Sequence, residues 1–313
     1  MSVPLPPAAD PSAQQAEWAQ RPERSNRTML QVISWISLRL GRGPARFVLA
    51  GISLYFLTFS PAAKVASRTY LRRVLGREPR LADLFRHFHS FASTIHDRIF
   101  LLNGRFDLFE IEVHGKAVID EVLATGRGAF LMGAHMGSFE VVRAIGRNQP
   151  GLNVAMVMYE ANARKLNAAL AAINPAAVLD IIPLGQVDSM LRVQSSLDDG
   201  VALGILSDRT LCGDPTLRLP FLGTDAEFPV GPMRLAAMLK RPVLFMSGLY
   251  LGGNRYAIHF ERLADFSTLE RAGRDAAIRA AVKTYAAGLE RHCRAAPYNW
   301  FNFFDFWRPK DAA

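Results

Sequence analysis

The chain has 313 residues, half of them hydrophobic and 21% charged, which excludes a disordered chain or a small disulfide-stapled module and leaves a globular protein with apolar mass for a large core. Lys and Arg total 37 against 28 Asp and Glu, a formal net charge of +9 that suits anionic lipid or an acidic partner. Nucleic acid is set aside as a partner, because the arginines cluster around one apolar segment and no nucleic-acid-binding motif accompanies them. Cys212 and Cys293 match no zinc or redox spacing, so no metal site or disulfide framework is expected and a reducing, cytosol-facing compartment fits.

Residues 1–26 are rich in Pro, Ala, Gln and Arg without periodicity and read as a disordered tail. Residues 27–105 read as a helical, membrane-associated region. Thr28 to Leu40 is amphipathic, and Phe47 to Ala63 holds 17 residues without a charge, at the short limit for crossing a bilayer. Arg39, Arg42 and Arg46 flank it on one side, and Lys64, Arg68, Arg72, Arg73, Arg77 and Arg80 on the other, as anionic headgroups would favour. With basic residues on both sides, a tilted span and an interfacial anchor both stay open. The segment starts too deep in the chain for a signal peptide. Leu81 to Leu102 is a second helical pattern, with Phe85, Phe88, Phe91 and Ile95 near one face.

Residues 106–313 form the expected catalytic domain. Short apolar runs (FEIEV, GAFLMG, NVAMVM, VLDII, VALGIL, PVLFMSGLYL, YAIHFE) alternate with helical stretches, which implies an α/β fold with a mixed central sheet and flanking helices. Ligands of such sheets sit beyond the carboxyl ends of strands. Ser267 and Glu270 have capping-box spacing, and Ile278, Val282, Tyr285 and Leu289 form a helical stripe that ends before Pro297.

Two strand ends carry candidate chemistry. The run GAFLMGAHMGSFE delivers His135 to the end of a buried strand with Glu140 five residues on. With His135 in the strand-to-helix turn and Glu140 in the first helical turn, the side chains can converge, and Gly133 and Gly137 give the turn its freedom. An imidazole held in one tautomer by a carboxylate takes a proton from an alcohol while that oxygen attacks an activated carbonyl; a buried histidine merely satisfied by an acid is the bland alternative. The strand Val201 to Leu206 leads into Ser207, Asp208, Arg209 and Thr210. Asp208 can orient the acceptor or fix Arg209, and Arg209 can bind a phosphate or a developing negative charge; a structural ion pair is the alternative. The apolar, turn-rich stretch RLPFLG followed by FPVGPMRLA, with Arg234 as a further substrate-binding candidate, can line an acyl groove or simply pack. The aromatic run Tyr298 to Pro309 is too rich in large rings for a free tail.

In order, GAFLMGAHMGSFE, VALGILSDR, LPFLGTDAEFPVGPMRLA and PYNWFNFFDFWRP resemble the late acyltransferases of lipid A biosynthesis, the lauroyl and myristoyl transferase family, over roughly residues 30 to 309. The resemblance implies a glycerolipid-acyltransferase-like fold and a bacterial inner-membrane enzyme whose site faces the cytoplasm. It also implies transfer of a fatty acyl chain from acyl carrier protein to a hydroxyl of a lipid acceptor, with His135 as general base, Glu140 as its orienter and Asp208 matching a functionally important aspartate. No metal or cofactor is implied. The stretch LNAALAAINPAAVLDIIPLGQVDSML holds no Arg or Lys, which speaks against an acceptor bearing the lipid A phosphates, and the ending NWFNFFDFW is less basic than that of the lipid A enzymes, which points to a side branch acting on some other lipid or polyketide-like acceptor. A lipid esterase is disfavoured because neither Gly-x-Ser-x-Gly nor His-Glu-x-x-His occurs; a non-catalytic lipid carrier stays open.

Overall fold

Among the described residues four α-helices precede the first strand: α1 (Arg27–Leu40), α2 (Arg42–Phe59), α3 (Pro61–Leu75) and α4 (Leu81–Leu102). The computed structural model describes residues 27–148, 153–174, 181–185, 188–210 and 213–308, so the expected tail at 1–26, Cys212 and part of the Arg- and Lys-free stretch lie outside it. The apolar segment 47–63 is not one helix. Pro61, which fits the first turn of a helix but not its interior, starts α3 after a break at Ser60, and α2 and α3 meet at 96°. Among the described residues no single helix is long and apolar enough to cross a membrane.

Two of the flanking arginines, Arg42 and Arg46, depart from the expected headgroup role. Arg42 makes a two-pronged contact to the buried carboxylate of Asp97 on α4, at 2.7 Å on each oxygen, and Tyr256 donates to the same group at 2.8 Å. Arg46 donates to the Gly253 carbonyl and the Tyr250 hydroxyl. These bonds, with Leu49, Ser53 and Leu57 buried along one side of α2, tie the amino-terminal helices to the rest of the protein. The other side of the pair stays open: Trp35, Leu40, Phe47, Leu54, Phe59 and Val65 are exposed, Phe47 by 84%.

Seven strands form the central sheet: β1 (Glu110–His114), β2 (Phe130–Gly133), β3 (Val154–Tyr159), β4 (Ile181–Leu184), β5 (Ala202–Leu206) and, further along the chain, two eleven-residue strands that pair as a hairpin, Pro242–Gly252 and Arg255–Asp265. Between β5 and that hairpin lies a separate antiparallel pair, β6 (Thr216–Phe221) and β7 (Thr224–Pro229), so the long strands are β8 and β9. The sheet order is β1-β9-β8-β2-β5-β3-β4, parallel throughout except for the antiparallel β8 and β9. It is therefore a mixed sheet, and helices α5 (Lys116–Leu123), α6 (Phe139–Asn148), α7 (Glu160–Ile173), α8 (Ser189–Asp198), α9 (Gly231–Met238) and α10 (Arg274–Ala295) connect and flank its strands. Burial on both faces is why β2 reads as an unbroken apolar run, every residue of it buried.

Two local expectations are corrected. The stretch expected as a loop before a short helix, open between lining an acyl groove and simple packing, is the β6–β7 hairpin, and the short helix follows it as α9. Its turn places Leu222 and Gly223 at φ of 50° and 81°, the left-handed pair of a two-residue hairpin, and Glu290 accepts from the Leu222 N–H at 2.9 Å. The capping-box spacing at Ser267 begins no helix: the Ser267 N–H is taken by Asp265, and α10 starts at Arg274.

Candidate active site

The register of β2 on β5 explains the site. Gly133 is paired with Leu206 in parallel, and the Ser207 N–H donates to the Gly133 carbonyl at 2.9 Å, so residues two steps beyond the pair, His135 and Asp208, emerge side by side. Their contact spans 73 residues of sequence: His135 Nδ1 lies 2.7 Å from Asp208 Oδ1, and the His135 backbone N–H donates to Oδ2 at 3.0 Å. The carboxylate on the imidazole is therefore that of Asp208 and not, as the five-residue spacing suggests, that of Glu140.

The turn that holds His135 requires its second glycine. Gly137 has φ of 60°, and a Cβ there would lie 1.9 Å from the Gly248 carbonyl oxygen, a position open only to glycine. The segment 299–302 closes over this turn. Gly137 N–H donates to the Asn299 carbonyl at 2.9 Å and Phe301 N–H to the His135 carbonyl at 2.7 Å. Trp300, fully buried, donates its indole N–H to Asp208 Oδ2 at 3.0 Å, and Asn302 donates to the same oxygen at 2.9 Å. The aromatic run is thus docked on the β2 turn, with Trp300 packed edge-on against Tyr70 of α3, Phe221 of β6 and Phe306, each such pair contributing about 1 kcal/mol beyond its burial.

Asp208 is wholly buried, yet its carboxyl is held well below the usual range: burial works to raise it, and His135, by charge and hydrogen bond, together with the Arg209 charge, outweighs that. An ionised carboxylate only accepts, so Nδ1 carries the ring proton and Nε2 is the basic nitrogen. The imidazole itself is pushed below 6.5, by burial first and then by Arg209, against the opposing pull of Asp208. Its side chain is 29% exposed and lines a cleft of about 370 Å³, whose walls include Phe91, Arg98, Arg209, Phe301 and Phe304. Arg209 donates through Nε to Asn302 at 2.8 Å and through Nη2 to the Phe301 carbonyl at 3.3 Å, with its guanidinium 5.4 Å from the Phe304 ring centre.

Glu140, in the first turn of α6, is 4% exposed and sits between two guanidinium groups, Arg98 at 3.3 Å and Arg143 at 3.4 Å. Through Arg98 it reaches the cleft wall from α4 and braces that helix against α6. Glu140→Ala removes the buried anion that Arg98 and Arg143 share, so we expect a loss of about 3 kcal/mol in unfolding free energy, read as a lower midpoint in denaturant titration. Arg234 is exposed on α9 and is not among the residues lining the cleft. Among the described residues no group of three His, Cys, Asp or Glu is arranged to hold a metal ion. The residues that sequence reasoning missed are Trp300 and Asn302: the aromatic run was visible, but its two polar donors to Asp208 follow only from the chain path.

No curated protein matches this chain. The family described as bacterial lipid A biosynthesis acyltransferase matches residues 26–309, nearly the whole length. With a buried carboxylate orienting a histidine at the mouth of an aromatic cleft, and with that match, the chain belongs to the bacterial lipid A biosynthesis acyltransferase family and is an acyltransferase.

Proposed function

We propose that this enzyme moves a fatty acyl chain from the thioester of acyl carrier protein to a hydroxyl of a lipid A-like envelope lipid, with His135 as general base. The observation that carries the reading is the His135–Asp208 contact, which fixes the proton on Nδ1 and leaves Nε2 basic in a cleft walled by phenylalanine rings. Nε2 takes the acceptor's hydroxyl proton as its oxygen bonds to the thioester carbonyl carbon. The carbonyl oxygen becomes an oxyanion, for which the Arg209 guanidinium is the nearby charge. Collapse breaks the carbon–sulfur bond, and the imidazolium returns its proton to the departing thiolate. The rings suit an acyl chain, because apolar walls with few polar groups bind such ligands.

The exposed apolar face of α1–α3, with Arg68 and Arg72 also exposed, supports attachment to the cytoplasmic surface of the inner membrane, lying in the interface. Residues 27–105 are then the membrane-contacting part and 106–313 the catalytic part, with α4 shared by both.

Incubating the purified protein with acyl carrier protein thioesters and a membrane lipid extract, followed by mass spectrometry, tests the reading. New acyl esters that form only when acceptor is present support it; free fatty acid released without acceptor identifies an esterase instead. The net charge of +9 gives a further expected result. Raising salt from about 0.05 M to about 0.5 M shortens the reach of charge attraction and raises KM for the acidic carrier thioester while kcat holds; a salt-independent KM removes acyl carrier protein as the charge-guided partner.

A further inference from the structure

Asp208 and Arg209 are consecutive and oppositely charged, and they leave the end of β5 in a segment with no strand to hold it. One neutral side chain touches both. Asn302 Nδ2 donates to Asp208 Oδ2 at 2.9 Å, and Asn302 Oδ1 accepts from Arg209 Nε at 2.8 Å. The chemistry of the partners fixes which end of the amide is which, since a carboxylate only accepts and a guanidinium only donates. Asn302 is 2% exposed and is absent from the cleft wall, whereas Phe301, Phe303 and Phe304 around it line that wall.

We infer that Asn302 is a positioning residue for acyl transfer: its amide locks the carboxylate that holds His135 and the guanidinium of Arg209 at one fixed spacing, so that base and cation face the same reacting carbonyl together. An amide can do this where no charged side chain can, because it offers a donor and an acceptor in one rigid plane without adding charge beside a buried anion. The backbone reinforces the lock from both sides, through the Phe301 N–H to the His135 carbonyl and the Arg209 Nη2 to the Phe301 carbonyl. The neighbouring Trp300 also donates to Asp208 but fills the core, so its loss would be dominated by packing.

The inference rests on His135 being the base, and its test has one arm that needs no substrate. The charged groups facing His135 are Asp208 and Arg209 beyond β5 and Arg98, paired with Glu140, from α4 and α6; Tyr285 of α10 donates to the Gly133 carbonyl behind it. Asn302→Leu keeps the volume and removes both hydrogen bonds. Asp208 then loses a donor and pulls harder on the imidazolium, while Arg209, still bonded to the Phe301 carbonyl, loses its Nε contact to Asn302 and is held less firmly in the place from which it opposes that pull. Both changes raise the His135 pKa. We expect the His135 ring in the full chain, followed by NMR, to titrate about one pH unit higher than in the wild type, kcat to fall about tenfold or more, and KM for donor and acceptor to change less than about twofold. If Asn302→Leu does not fold, Asn302→Ala, which also removes both hydrogen bonds, is read the same way and shows a shift in the same direction. A lowered melting temperature with a wild-type titration curve and wild-type kcat overturns the inference, leaving Asn302 as a structural contact. A wild type that transfers no acyl group, with the titration shift present, instead removes the base assignment and leaves the coupling through Asn302 standing.

Discussion

His135→Ala is expected to remove acyl transfer and to leave the fold standing. General base catalysis contributes about 10²–10⁴-fold, and no other side chain on the cleft wall replaces Nε2: the remaining ionisable groups there, Arg98 and Arg209, are cations. Asp208 keeps three of its four contacts in this variant, from the residue 135 backbone N–H, Trp300 and Asn302, so the buried carboxylate is not stranded and the melting temperature stays near that of the wild type. Product formation measured by mass spectrometry on the purified variant checks this, and turnover at the wild-type rate would exclude His135 as the base. The same chemistry sets a pH dependence. Only the neutral ring accepts a proton, and burial with Arg209 holds its pKa below 6.5. The wild-type rate therefore stays on its plateau at pH 7 and declines only as pH drops through that lowered value.

Asp208→Asn is expected to be nearly as damaging, by a route that does not remove the base. Three N–H groups converge on Oδ2, from the His135 backbone, Trp300 and Asn302. They demand an oxygen at that position, so the new NH₂ must take the place of Oδ1, facing His135 Nδ1. A donor there forces Nδ1 to accept, which moves the ring proton to Nε2 and leaves no lone pair for the acceptor hydroxyl. The equivalent substitution in a Ser-His-Asp triad lowers kcat by about 10⁴-fold for the same tautomeric reason, and a fall of about 10³-fold or more is expected here with KM little changed. Nitrogen shifts of the labelled ring report the tautomer directly. A variant that retains the proton on Nδ1 and turns over normally would show that Asp208 does not orient the base.

Glu140 and Asp208 show where sequence reasoning reaches and where it stops. The strand end, the flanking glycines and His135 are local features, and the chain order GAFLMG, AHMG, SFE translates directly into β2, the turn and α6. Glu140 shares that local window and so was the natural partner, yet the first turn of α6 sends it toward Arg98 and Arg143. Asp208 is 73 residues away, and its adjacency depends on β5 lying next to β2 in the sheet, a neighbour relation that alternating strand and helix patterns do not encode. The same reason hid Asn302 and Trp300. The break at Ser60 has a local signal, Pro61 inside the apolar run, whereas the length of the charge-free run by itself suggests one continuous segment. Arg42 and Arg46 read as headgroup ligands because nothing local signals Asp97 or the Gly253 carbonyl.

Asp208 gathers its donors across 73, 92 and 94 residues. Contacts of such span form late in folding, since long loops must close before they are rewarded. A nascent or partly folded chain that has not yet laid residues 299–302 across the β2 turn holds an ordinary, untethered histidine, so the His135–Asp208 pair comes into being only as the whole sheet assembles.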